Sequence, residues 1–149
     1  MLIMTLFEAP QYDPRRARRR KQLIAAAILG VIVLAALAWI IRNWPEERIV
    51  TKFFTALQNK DFETAYALWI ADPDWKQHPN QHAQYKFGDF YNDWGPGGDW
   101  GPIRNFRIEG SANPQAGSGV VVVVTINDRK EPARIWVEKK DKSMTFSPY

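Results

Sequence analysis

The chain contains no cysteine. Disulfides, thiolate zinc sites and a cysteine nucleophile are thereby excluded, and the redox compartment is left open. Histidine is scarce, with two among 149 residues. The part of the chain that can fold also lacks a basic excess. The overall charge of +4 divides unevenly: residues 1–44 carry seven basic and two acidic side chains, and residues 45–149 carry 13 basic and 14 acidic ones. A nucleic-acid binder displays a basic patch on its folded domain. Here only scattered pairs such as Lys139-Lys140 are present, so no nucleic-acid partner is expected. No cofactor is expected either. The length suits one domain plus an appendage.

A long run without charge is present near the N-terminus. Residues 23–41 read LIAAAILGVIVLAALAWII. As a helix they rise roughly 28 Å, close to the ~30 Å hydrocarbon core of a bilayer. A soluble helix keeps one polar face, and this segment has none. Gly30 is ordinary in a membrane span, and Trp39 and Trp44 lie where indoles favour the headgroup layer. Arg15 to Lys21 supplies six positive charges before the span, whereas Arg42 and Arg48 after it stand beside Glu46 and Glu47. The positive-inside rule then keeps the N-terminus in the cytoplasm and sends the rest outside. The expected division is a basic cytoplasmic tail (1–22), a transmembrane helix (23–41) embedded in the lipid bilayer, and an external domain (42–149). The expected location is the cytoplasmic membrane of a bacterium. Ala36-Leu37-Ala38 also matches a signal-peptidase site, but Trp39-Ile40-Ile41 continues the apolar run past it. Arg19-Arg20 permits a twin-arginine reading. The first 14 residues, with two prolines and no periodicity, read as a short disordered tail.

Beyond the span the apolar period is helical, then alternating. Asn43-Trp44-Pro45-Glu46 reads as a helix start with Asn43 as cap and Glu46 as capping-box acid. Ile49, Val50, Phe53, Phe54 and Leu57 form its stripe. Asp61 can cap a second helix with Phe62, Ala65, Tyr66 and Trp69 on one face, and Asp72-Pro73 ends it. A third helical pattern runs from about Gln81 through Phe87, Phe90, Tyr91 and Trp94. From Ile103 the period becomes two, with strands expected over Ile103–Glu109, Val120–Ile126 and Ala133–Lys140 and a last one around Met144 and Phe146. The predicted class is α+β, with about three helices on one face of an antiparallel sheet.

The stretch IVTKFFTALQNKDFETAYALW, followed by a third helix and strands, resembles the nuclear transport factor two-like (cystatin-like) superfamily. The likeness covers roughly residues 45–149. It implies a cone-shaped domain in which helices and a curved sheet enclose a pocket. It implies several functions, since members include isomerases, dehydratases, polyketide-cyclase-like enzymes and noncatalytic binding or assembly domains. No catalytic residue carries over.

Candidate pocket residues are Tyr66, Trp69, Tyr85, Asp89, Trp94 and Trp100. Aromatics at helical spacing serve either as core or as pocket wall. Asp89 is a potential acid if burial raises its pKa, and a surface residue if it shares the wet face of Gln84 and Lys86. His78 and His82 have the spacing that places two imidazoles on one helix face, but Pro79 opposes helix there, and no metal site is expected. Residues 93–102, DWGPGGDWGP, join the third helix to the first strand. They read either as a loop clamped by Trp94 and Trp100 or as a pocket rim with two stackable indoles and two acids. The run Val120–Val124 is apolar on both faces, so its outer face needs a cover. Pairing of two copies through that face is the expected one, with the parity of the valines left open.

Overall fold

A computed structural model of the chain describes residues 13–149; the reading of the first residues as a disordered tail lies outside them. The chain divides into two compact units, Met1–Ile41 and Arg42–Tyr149.

In the first unit α1 spans Pro14–Ile41, 28 residues with none buried. The Asp13 carboxylate accepts from the backbone N–H of Arg15 at 2.9 Å and starts the helix. The helix is long and apolar enough to cross a membrane, and it continues through Ala36–Ala38 without a break.

The second unit is α+β. Its helices are α2 (Trp44–Gln58), α3 (Phe62–Trp69) and α4 (Phe87–Trp94), and its strands are β1 (Phe106–Ala112), β2 (Gly119–Ile126), β3 (Ala133–Glu138) and β4 (Met144–Phe146). The sheet is an antiparallel meander in the order β1-β2-β3-β4.

Local chemistry explains most boundaries. Asp61 caps α3, accepting from the Thr64 N–H at 3.1 Å. Ala71 takes a left-handed φ of +54°, and the Asp72 N–H then closes on the Ala67 carbonyl at 3.0 Å. That ends α3 and fixes Asp72 at its C-terminal edge. The third helix starts at Phe87 rather than near Gln81. The Asp89 carboxylate accepts the Lys86 N–H at 3.0 Å and sets that start, while residues 78–85 are drawn off into turns.

The capping box expected at Asn43 is absent. Asn43 makes no side-chain cap bond; its amide donates instead to Ser111 Oγ at 3.1 Å. Glu46 reaches Lys142, with Nζ to Oε1 at 2.6 Å. Both residues are buried. Partners from β1 and the β3–β4 turn have replaced the local one.

Between helices and sheet lies an aromatic interior. Phe53 meets Phe54, Trp69 and Trp94 at centroid distances of 5.1–5.2 Å. Trp94 stacks on Phe146 at 5.6 Å with planes 7° apart. The sheet closes this core with Val120, Val122, Val124, Ile126, Ile135 and Val137, all fully buried.

The parity of the valine run is therefore set: even-numbered valines face the helices. Val121 and Val123 lie on the outer face, where Val121 pairs with Trp136 and Val123 with Arg134. At Val121 this face is covered by the chain itself. Val121 is only 5% exposed. The Trp136 ring lies where side chains on Gly117 and Gly119 would stand, within 2.3–2.6 Å of their Cβ positions. Tyr149, in the C-terminal segment, packs on Trp136 at 5.8 Å. Further along, Arg107 and Thr125 both donate to Glu109, at 2.9 and 2.7 Å.

Candidate functional site

Residues 71–86 have no α-helix or strand, yet they are firmly placed. Asp72, fixed by the end of α3, accepts from two imidazoles on one oxygen. His78 Nδ1 and His82 Nε2 both lie 2.9 Å from Oδ2. A carboxylate only accepts, so each of these ring nitrogens carries a proton. The histidines therefore do share a partner, but across a turn rather than along a helix. Their bonds hold the Asp72 carboxyl below its ordinary range, His82 contributing most. A depressed folded-state pKa stabilises above the unfolded value and is lost as pH falls through the folded one. Asp72→Asn should thus lower the melting temperature near pH 7. The gap to the parent should close on acidification below about pH 4. A constant gap across that range would place the effect outside this carboxylate.

Beneath the loop, Tyr66 Oη donates to the Tyr85 carbonyl at 2.7 Å, and Tyr85 Oη donates to Asp93 Oδ2 at 2.7 Å. Burial raises both phenols, and Asp93 pushes Tyr85 further. Both stay protonated donors at neutral pH.

Two clefts open on either side of His82. One, of about 570 Å³, is lined by Tyr66, Trp75, Lys76, Lys86 and Phe87 among others. The second, of about 330 Å³, is bounded by Trp69, Ile70, Tyr85, Met144 and Phe146. His82 borders both, and among the described residues no carboxylate lines either. Among the described residues no group of three or more His, Asp or Glu side chains is arranged to hold a metal ion.

The six candidate residues do not form one site. Tyr66 lines the larger cleft; Trp69 and Tyr85 line the smaller. Asp89 is exposed and occupied by the α4 cap. Trp94 is core, 1% exposed, and offers no face to a ligand. Trp100 borders a separate cleft of about 380 Å³ with Arg104, Asn127 and Arg129.

DWGPGGDWGP is held from inside and outside at once. Trp94 anchors its start in the core. The Gly95 N–H closes on the Tyr91 carbonyl at 2.8 Å, and Gly98 and Gly101 continue the turns. Outside, Asn127 donates to the carbonyls of Trp100 and Pro102 at 3.3 and 2.9 Å. Its side-chain oxygen accepts the Arg104 N–H at 2.8 Å. The Arg129 guanidinium lies 5.3 Å from the Trp100 ring centre and donates to the Asp99 carbonyl. Asn127 and Asp128 reach this place through left-handed φ values of +49° and +55° in the β2–β3 turn. The gap between the two expected strands marks a turn here, and nothing local in the sequence signals the pinning role. A Cβ on Gly98 would stand 2.0 Å from the Asp93 carbonyl oxygen, whereas one on Gly97 meets nothing within 4 Å. Gly98→Ala should therefore cost about 1–3 kcal/mol and Gly97→Ala nothing measurable, compared by denaturant unfolding. Equal effects would mean the loop is not closely packed.

No family model matches the chain, and neither a curated protein nor a solved structure matches it significantly.

Proposed function

We propose that the chain is a single-pass protein of a bacterial cytoplasmic membrane whose external domain binds or assembles with another molecule and does no chemistry. The carrying observation is the filled interior. The space between the helices and the sheet is filled by Phe53, Phe54, Phe90 and Trp94, each 1% exposed or less. Catalysis by general acid and base needs a poised pair in one cleft. The acids near the clefts are already engaged: Asp72 by two histidines, Asp89 by the α4 cap, Asp93 by Tyr85. The alternative of a lyase, isomerase or cyclase would have to work through His82, which borders both clefts with its Nε2 committed to Asp72. A nuclear transport factor two-like origin stays a proposal, backed by the helices-then-meander order. Pairing of two copies through the outer sheet face is less favoured, because Val121, opposite Trp136 on that face, is only 5% exposed. A purely structural accessory of a membrane complex, with the span making contacts, is the remaining reading.

The basic run before the span and the balanced charge after it support an inside N-terminus. The absence of cysteine makes this directly testable, since one introduced thiol is the only one present. Tyr91→Cys, at a position 43% exposed, should react with a membrane-impermeant maleimide on intact cells, and Thr5→Cys should not. A photoreactive group on the same outer thiol should give discrete cross-linked species. Labelling of Thr5→Cys alone would reverse the topology. Outer labelling without any cross-link, from Tyr91 or from other exposed positions, would remove the binding reading.

A further inference from the structure

The two edges of the sheet differ. On β1 the ladder is broken by a bulge between Ile108 and Gly110, and the bulged Glu109 carries an ion pair to Arg107 at 2.7 Å. Bulges and charges of this kind block strand addition. The β4 edge has neither. Its residues are Met144, Thr145 and Phe146, and among the described residues no strand pairs beyond it.

The main-chain groups at that edge follow from the ladder. The Ser143 carbonyl accepts from Glu138 at 2.9 Å, and the Ser147 N–H donates to Arg134 at 3.0 Å. Bonding alternates along an antiparallel strand, so Thr145 also faces β3. The N–H and C=O groups of Met144 and Phe146 consequently point away from the sheet. Directly beside them lies the smaller cleft, about 330 Å³, with Trp69, Ile70 and Phe146 on its walls. Phe146 remains 48% exposed although its ring touches Trp69 and Trp94. Unpaired main-chain groups next to an apolar hollow are the two requirements for adding an extended peptide as a strand.

Charge narrows the occupant. In the turn before β4, Lys142 is held by Glu46, and Asp141 is turned back onto Ser143 at 2.7–2.9 Å. Lys139 and Lys140 are left exposed. A strand laid antiparallel to β4 brings its C-terminal end to these lysines. A second copy fits poorly: its own edge is three residues long and carries no acid, and stable dimers need roughly 1,200 Å² or more of buried surface.

We propose that the β4 edge takes an extended segment of a partner protein, antiparallel to β4. The segment places an apolar side chain against Trp69 and Phe146 and acidic residues against Lys139 and Lys140. This rests on the binding reading above and names the partner class for it.

The test uses the full chain in lipid nanodiscs and amide hydrogen exchange at Met144 and Phe146. Three synthetic probes are compared. The first alternates threonine with valine and phenylalanine and ends in two aspartates. The second is the same peptide N-methylated at alternate residues of its bonding edge. The third ends in two lysines instead. The first should slow exchange at Met144 and Phe146 by about tenfold or more. The methylated probe should lose that protection, and the lysine probe should bind at least about tenfold more weakly. Equal protection by the methylated probe, protection only at other residues, or none from any probe overturns the proposal. Protection without peptide that fades on dilution overturns it too and assigns the edge to a second copy. Failure here with outer cross-links intact removes the edge alone. Failure of both removes the binding reading as well.

Discussion

Replacing Trp94 by alanine should destabilise the external domain by about 3–5 kcal/mol, the range for deleting a large buried aromatic ring. The indole is 1% exposed. It touches Phe53 at 5.1 Å, Phe54 at 5.7 Å, Trp69 at 5.4 Å and Phe146 at 5.6 Å. The neighbouring rings are carried by α2, α3 and β4, so they relax into the space only in part. Trp100→Ala, at the second copy of the same tetrad, should cost only about 1 kcal/mol. Its ring is partly exposed and lies under Arg129 rather than inside the core. Urea denaturation of residues 42–149 measures both. Equal losses would mean that the two indoles clamp the loop symmetrically, as the repeated Asp-Trp-Gly-Pro suggests on paper. The duplication is one of sequence only, since one tryptophan ends a helix and the other ends a turn.

That asymmetry shows where the sequence stops being informative. The stripes of α2 and α3 were legible because Val50, Phe53, Phe54 and Leu57 recur at the helical period, and Asp61 caps by a bond within its own turn. The strands were legible for the same kind of reason. The valine run was not, because five identical residues carry no parity. Only the alternation of Ile135 and Val137 with Arg134 and Trp136 on the neighbouring strand assigns it. The site was least legible. Asp72, His78 and His82 meet across a turn with no period, and Asn127 reaches a loop 25 to 27 positions away. Long-range polar bonds leave no pattern in the chain. The start of α4 was misjudged for this reason, since Gln81 to Lys86 has helix-compatible composition and His82 is claimed by Asp72.

Another such bond should have a large effect. Lys142→Met should destabilise the domain by about 3 kcal/mol, the lower end for breaking a buried ion pair by removing one partner. Glu46 has 5% of its side chain exposed and lies 2.6 Å from Lys142 Nζ. Its second oxygen is buried and has no hydrogen-bond partner among the described residues. Without the ammonium, the carboxylate would stay in a site that water reaches poorly. The lower end applies because Lys142 keeps 36% of its side chain exposed, so part of its field is already screened. Methionine retains the length of the side chain, and the left-handed φ of +63° at this position is the same for both residues. Packing and backbone strain are thereby held nearly constant. Adding Glu46→Met should recover most of the loss, because two apolar side chains leave no buried charge behind. The coupling in this double-mutant cycle should be about 2 kcal/mol or more. Additive effects, or a Lys142→Met variant that melts like the parent, would show that solvent reaches Glu46. The start of α2 would then be held to the sheet by Asn43 and Ser111 rather than by the ion pair.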